Sequence, residues 1–246
     1  MEESINLLKT KFDEIKKKGY VKAVNNNTSG IGLTFEKLIG KEEDNFPFPD
    51  FCGIELKTKL KKSITPITLF KMNPDGESFC EAKKIWEKYG YVRAKDKKNK
   101  VFYGTMSANE KTKIGLKYQF TLMVNYEEKR LEMHVFDKKN TLFANDSYWS
   151  FDKLENALFR KLTYLAVVKT SYIRKKDQFF YKYEDLKIYK LKSFDVFLKL
   201  IEKGIITVDF SIDVFKSGKR IGQMHDHGTN FSINENNLNL LFDEMS

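Results

Sequence analysis

Between residues 48 and 59 the sequence runs Phe48-Pro49-Asp50-Phe51-Cys52-Gly53-Ile54-Glu55-Leu56-Lys57-Thr58-Lys59, and no other stretch restricts the chain as much. Ile54 and Leu56 alternate with Glu55 and Lys57, the period of a strand, which puts the second carboxylate and the amine on one face. Asp50 lies five residues before Glu55. On one straight strand the two acids would point to opposite faces, about 16 Å apart. For both to act at one centre the chain has to fold back near Cys52-Gly53, where glycine permits a tight turn or bulge.

Brought together, an Asp and a Glu can share a divalent cation through hard oxygen ligands, and such a cation activates water and neutralises charge on a phosphodiester. Lys57 adds a point charge beside them. The spelling alone carries little, because Glu-x-Lys begins four times, at Glu14, Glu55, Glu81 and Glu127, in a chain that is 32% charged. Even the preceding dipeptide recurs, since Pro74-Asp75 leads to Glu81-Ala82-Lys83. That second copy falls in residues 78–89, whose pattern predicts an amphipathic helix, and side chains two apart on a helix diverge. It is a decoy.

The 246 residues suffice for one substantial core, or for a catalytic core with a smaller lobe. Lys and Arg outnumber Asp and Glu by 44 to 34, a formal charge of +10. Such an excess favours a polyanionic partner, with a lysine-rich proteome as the plain alternative. Nucleic acid comes before membrane because no long apolar run exists. Cys52 and Cys80 have no metal-ligand spacing and no signal peptide precedes them, so a reducing cytoplasm and no structural disulfide are expected.

Ile5, Leu8, Phe12 and Ile15 predict an opening helix over residues 4–18 that ends at Gly19. Thr34 is the expected N-cap of a second helix stopping at Gly40, with Glu36 in its first turn, where a carboxylate complements the helix dipole. Ile64, Ile67, Leu69 and Phe70 predict a strand paired with residues 54–59, as the base of the metal site. Residues 93–100 read as a charged loop, either a solvated turn or a phosphate contact. Strands are expected at 101–106, 118–126, 131–136 and 141–143, a helix over 151–162, and a buried central strand at 164–168. A last helix at 194–202 precedes strands at 205–215 and 225–233, joined by a hairpin tip at 216–220. Most of the 21 Phe and 12 Tyr are expected in the core.

Two of the three histidines stand in His225-Asp226-His227-Gly228-Thr229. In an extended chain His225 and His227 share a face and Asp226 takes the other. His-x-His can chelate a metal, although no third ligand stands nearby in sequence. The segment also fits a plain surface hairpin. A third reading is base recognition, since a two-stranded ribbon fits the major groove while Lys216, Lys219 and Arg220 grip phosphates.

Pro49-Asp50 followed by Glu55-Leu56-Lys57 resembles the signature of the PD-(D/E)xK nucleases, and Gly53-Ile54-Glu55-Leu56-Lys57-Thr58 is similar to the form carried by their MutH-like branch. Gly30-Ile31-Gly32-Leu33-Thr34-Phe35-Glu36-Lys37-Leu38-Ile39-Gly40 resembles that branch's helix-borne glutamate motif. Ser147-Tyr148-Trp149-Ser150-Phe151-Asp152, Ser217-Gly218-Lys219 and the His225 to Thr229 segment resemble the MvaI/BcnI-like type II restriction endonucleases, and the resemblance runs through nearly the whole chain.

The resemblance implies an α/β fold, a restriction-endonuclease-like core with a central mixed β-sheet flanked by helices and a DNA-reading β-hairpin lobe. It implies one body over residues 1–246, with a catalytic part over roughly 1–170 and a recognition part over 171–246. The implied activity is Mg²⁺-dependent, sequence-specific cleavage of double-stranded DNA, with one or two ions per site. Asp50 and Glu55 would bind metal, Lys57 would hold or polarise the attacking water, and Glu36 would assist. Expected DNA contacts are Asp209, Ser211, Phe215, Lys216, Lys219, Arg220, His225, Asp226, His227 and Thr229. Ser211 and Ser232 stand where guanine-reading arginines would be expected, which leaves the target sequence open. A monomer is implied, with a cognate DNA methyltransferase in the host. The alternatives are a MutH-like strand-nicking repair endonuclease, disfavoured by the His225 hairpin, and a catalytically silent DNA-binding module.

Overall fold

The computed structural model describes residues 1–27, 29–41, 48–75, 78–93 and 96–245, with the side chains of 78–80, 96–97 and 146 left aside. The chain divides into two compact units, one of residues 1–65, 158–192 and 241–246, the other of 66–157 and 193–240. Neither unit is a continuous stretch.

The first unit opens with α1 (Glu2–Lys17), which buries Ile5, Leu8, Phe12 and Ile15 along one stripe, and Gly19 then takes a left-handed φ of 66°. β1 (Val21–Lys22) leads to α2 (Gly30–Ile39). This helix starts four residues before the expected cap. Thr34 lies inside it, buried, its hydroxyl donating to the Gly30 carbonyl at 2.6 Å and accepting the Val24 N–H at 3.0 Å. The glycines at 30 and 32 conceal the true start, and Gly30 is needed because a Cβ there would stand 2.6 Å from the Asn25 carbonyl. Gly40 closes the helix with φ 86°, as expected of a left-handed cap.

β2 (Glu55–Leu60) follows. Its partner is the later strand β10, and the expected pairing with β3 (Ile67–Lys71) does not form. Ile64 is 92% exposed, while Ile67, Leu69 and Phe70 bury in the second unit against another strand. Apolar residues marked the strand correctly but said nothing of which sheet receives it.

In the second unit come α3 (Ser78–Tyr89), β4 (Tyr91–Arg93), β5 (Asp96–Met106), β6 (Thr112–Ile114), β7 (Tyr118–Asn125), β8 (Arg130–Phe136) and β9 (Leu142–Ser150). The charged stretch at 93–100 is therefore strand on both sides, not a loop, although Ala94 and Lys95 lie outside the described residues. α4 (Phe151–Leu162) leads back to the first unit and to β10 (Tyr164–Lys175) and β11 (Gln178–Leu191). α5 (Phe194–Glu202), capped by the Ser193 hydroxyl, β12 (Ile206–Val214) and β13 (Met224–Ile233) complete the second unit apart from one 3-10 turn and most of α6 (Leu238–Leu241). β14 (Phe242–Met245) returns to the first.

The first unit's sheet is mixed, ordered β1-β11-β10-β2, with β14 also on β11. β10 runs parallel to β2, pairing Leu165 with Glu55 and Val167 with Lys57, and antiparallel to β11. Leu165, Ala166, Val167 and Val168 are all buried, which is why that run carries no polar alternation. The second unit holds a five-stranded sheet, β3-β13-β12-β5-β4, and a four-stranded one, β6-β7-β8-β9. Its core is aromatic, with Trp149, Phe102, Phe120, Phe197 and Phe231 fully buried and the Trp149 indole N–H donating to the Met72 carbonyl at 3.0 Å. No helix among the described residues is long and apolar enough to cross a membrane.

Candidate active site and the recognition hairpin

Phe51 and Ile54 exchange backbone hydrogen bonds of 3.0 and 2.8 Å, with Cys52 and Gly53 between them at φ 45° and 87°. Two successive left-handed residues make the two-residue turn that joins a tight hairpin. The turn returns Asp50 alongside β2, where its Oδ2 accepts the Leu56 N–H at 3.0 Å. An acid that a straight strand would have sent away thus stands beside Glu55. Asp50 Oδ1 is held by the Lys41 ammonium at 2.5 Å.

Glu55 is 2% exposed. Its Oε1 receives the Lys57 ammonium at 2.7 Å, with Lys161 at 3.5 Å. Among the described residues nothing hydrogen-bonds its buried Oε2. Glu36 belongs to the same electrostatic group: burial raises its pKa, Asp50 and Glu55 add to the rise, and Lys41 and Lys57 oppose it. A pocket of about 310 Å³ is lined by Gly32, Phe35 and Glu36 of α2 and by Leu56, Lys57 and Thr58 of β2. Glu36 and Lys57 thus line one cavity, while Asp50 is placed by the turn.

Lys41 and Lys161 escaped the sequence reading. Lys41 follows the glycine that ends α2, and Lys161 lies in the last turn of α4, just before the strand that pairs with β2. Neither belongs to a motif, and only the β2–β10 register indicates that the end of α4 approaches Glu55. A buried carboxylate oxygen without a hydrogen-bond donor among the described residues, with Asp50 held at the next residue, suits a small hard cation.

On the hairpin of β12 and β13, Asp213 pairs in register with His225. His227 Nε2 lies 3.0 Å and His225 Nδ1 3.7 Å from Asp213 Oδ1, and the two imidazole centroids are 4.0 Å apart, on one face as the alternation requires. A third group of ligand type, not near in sequence, is Asp213, twelve residues before His225 and opposite it on the partner strand. Tyr103 donates to Asp213 Oδ2 at 2.7 Å. Burial, then this bond to Asp213 and its charge, push the Tyr103 phenol up to about 12. Burial works against ionisation of Asp213, but the hydrogen bonds from Tyr103 and His227 and the nearby imidazoles outweigh it, so its pKa is lowered. The Phe215 ring stacks on His225 at 4.1 Å, and the Arg220 guanidinium lies 4.0 Å over Phe215.

Asp226 faces away from the histidines, accepting from Asn73 and from the Gly228 N–H, both at 2.8 Å. Asp209 accepts from Thr105 at 2.5 Å, and Ser211 stands opposite Tyr103. Lys216, Lys219 and Arg220 are exposed at the tip. Thr229 is 2% exposed, with its N–H and hydroxyl bonded to Asn73 Oδ1. His134 lies elsewhere, paired with buried Glu132 at 2.6 Å.

Residues 9–242 match the model of the MvaI/BcnI restriction endonuclease family. No curated protein matches the chain. Among solved structures, the restriction endonuclease MvaI–cognate DNA substrate complex is similar at 33% identity with a TM-score of 0.89, covering 100% of this chain and 98% of that one. MvaI in the absence of DNA gives the same identity and coverage with a TM-score of 0.63. The chain therefore belongs to the MvaI/BcnI restriction endonuclease family and is a site-specific deoxyribonuclease.

Proposed function

We propose that the chain is a Mg²⁺-dependent type II enzyme that hydrolyses double-stranded DNA at a specific sequence. The observation that carries this reading is the buried Oε2 of Glu55, without a hydrogen-bond partner among the described residues, in a group that includes Lys57 and an acid returned to the next residue by a left-handed turn. Asp50 and Glu55 would hold the cation. When bound there, Mg²⁺ supplies a Lewis acid against the charge that builds on the scissile phosphate. Lys57, its side chain 27% exposed, holds and polarises the attacking water. Glu36, whose proton affinity is raised by burial and by the nearby acids, assists at the same centre.

The β12–β13 hairpin is the reader in this proposal. Lys216, Lys219 and Arg220 neutralise phosphates, while Asp209, Ser211, Phe215, His225 and His227 contact base edges and Asp226 does so from the face opposite the histidines. The similarity to a protein solved with its cognate DNA supports duplex DNA as the substrate. One catalytic set per chain supports a monomer that cuts one strand at a time, and a host methyltransferase would protect its own sites.

Incubation with phage DNA and Mg²⁺, followed by sequencing of the fragment ends, tests the reading. Discrete fragments with a common end sequence are expected. Nicks confined to unmethylated or hemimethylated sites would indicate a repair enzyme, and intact DNA a binding module. A one-site supercoiled plasmid should pass through a nicked circle, first order in enzyme, whereas direct linearisation together with a dimer mass would end the monomer proposal.

A further inference from the structure

We propose that Asp213, His225 and His227 form a second cation site, on the hairpin, that takes a borderline transition-metal ion of the zinc class. One carboxylate oxygen and one nitrogen from each imidazole lie within 4.8 Å of one another. A hydrogen-bonded His–Asp pair needs a single imidazole, and His227 at 3.0 Å from Asp213 Oδ1 satisfies it. His225 Nδ1 stands 3.7 Å from the same oxygen, too far for a hydrogen bond, yet its ring is turned into the cluster. Around a tetrahedral ion with bonds of about 2.0–2.1 Å, neighbouring ligand atoms lie about 3.4 Å apart. The separations of 3.0 and 3.7 Å bracket that value, so small side-chain shifts suffice to seat an ion.

The surroundings are those of a supported site. Tyr103 bonds the other Asp213 oxygen at 2.7 Å and fixes the carboxylate, as an outer-shell partner does. Phe215 covers one imidazole face at 4.1 Å. The Asp213 side chain is 12% exposed while those of His225 and His227 are 37% and 40% exposed, so the acid is fixed and the imidazoles are open to an arriving ion. Two imidazoles and one carboxylate favour Zn²⁺, Co²⁺ or Ni²⁺ over Mg²⁺, and three protein ligands leave a fourth position for water. These ligands are distinct from Asp50 and Glu55.

A consequence resting on the hairpin's proposed role as DNA reader is that zinc-class ions compete with the cognate sequence, because they occupy the same imidazole edges.

Co²⁺ titration of the full chain carrying Glu55→Gln, which disables the other carboxylate site, provides the test. One Co²⁺ per chain is expected, with the intense visible absorption of four-coordinate cobalt, removed by Zn²⁺ and unaffected by excess Mg²⁺. Tyr103→Phe should weaken Co²⁺ binding about tenfold. Asp213→Asn, His225→Gln and His227→Gln should abolish the absorption, with thermal unfolding recorded for each to separate lost ligands from a lost fold. Absence of the absorption from the Glu55→Gln chain, or its survival in folded His227→Gln, overturns the site. If Co²⁺ binds as described and Zn²⁺ leaves cognate-DNA affinity unchanged, the cation site stands and the competition is refuted.

Discussion

Asp50, Glu55 and Lys57 stand on a tight turn and a strand, whereas Asp75, Glu81 and Lys83 stand on a loop and a helix, although the two sets are spelled almost alike. On the strand, Lys57 reaches Glu55 at 2.7 Å, and Asp50 is held one residue further along by the Leu56 N–H. On the helix the groups separate. Glu81 pairs with Lys84 at 2.5 Å, and Lys83 approaches Glu87 at 3.8 Å. Asp75 accepts from the Ser150 N–H and meets Lys153, each at 3.3 Å. Asp75 also buries an oxygen with no hydrogen-bond partner among the described residues, so an orphan oxygen alone makes no site. What the strand copy adds is convergence, because Glu36 responds to Asp50, Glu55 and Lys57 together. The element beneath a motif decides what its side chains can do in common.

The largest contrast is expected between the two lysines. Lys57→Ala should lower cleavage about a thousandfold, the scale of removing a group that acts on developing charge. Lys83→Ala should leave cleavage unchanged and shift stability by less than about 0.5 kcal/mol. Single-turnover rates and thermal melts of both variants check this.

Next in size is the hairpin, where point charges and shaped edges should behave differently. His225→Ala should cost about 1–3 kcal/mol on the cognate site and little elsewhere. Lys219→Ala should weaken binding to every sequence and reduce the salt slope by about one phosphate contact. Equal losses on cognate and random duplexes in both variants would show that the hairpin reads no bases.

Gly53→Ala addresses the turn that separates the two motif copies. Gly53 has φ 87°, and a Cβ there would lie 3.1 Å from the Met1 Cε methyl. A loss of about 1–3 kcal/mol in stability is expected from forcing a side chain into this conformation. Cleavage should fall as well, since the turn alone returns Asp50 to β2. An active variant with unaltered stability would contradict that role.

The smallest effect concerns Glu36. Its pKa is raised in the folded chain, so the folded state binds this proton more tightly than the unfolded one. Stability therefore falls as pH rises from the ordinary carboxylate range through the raised value, and stays reduced above it. Glu36→Gln should be more stable than the parent at neutral pH and indistinguishable from it in acid. Melting curves over a pH series give the answer.

Much of the chain was legible because its periodicities were clean. The helix at 194–202 and the buried run at 164–168 announced themselves, and the glycine reversal at Cys52-Gly53 followed from the distance between two acids. β11 did not announce itself. Glu184 is skipped where Lys169 pairs with Asp185 and Thr170 with Tyr183, so burial changes from one face, at Tyr181 and Tyr183, to both faces, at Ile188, Tyr189 and Leu191, after the irregularity. That phase change erases the alternation a reader looks for. Asp213 was missed for a different reason. Its place opposite His225 depends on pairing across a nine-residue connection, and on an irregularity between Phe210 and Ile212 that no local pattern encodes.

Glu55→Gln and Glu81→Gln, compared in one assay, give the most direct measurement: single-turnover cleavage of a cognate duplex in Mg²⁺, with binding of the same duplex followed in parallel. The two changes remove the same charge from the same local spelling. The expected result is that Glu55→Gln still binds the duplex but does not cut it, while Glu81→Gln cuts at the parental rate. Parental cleavage by Glu55→Gln would move the active centre away from the strand, and loss of cleavage in Glu81→Gln alone would place it on the helix; either contradicts the account.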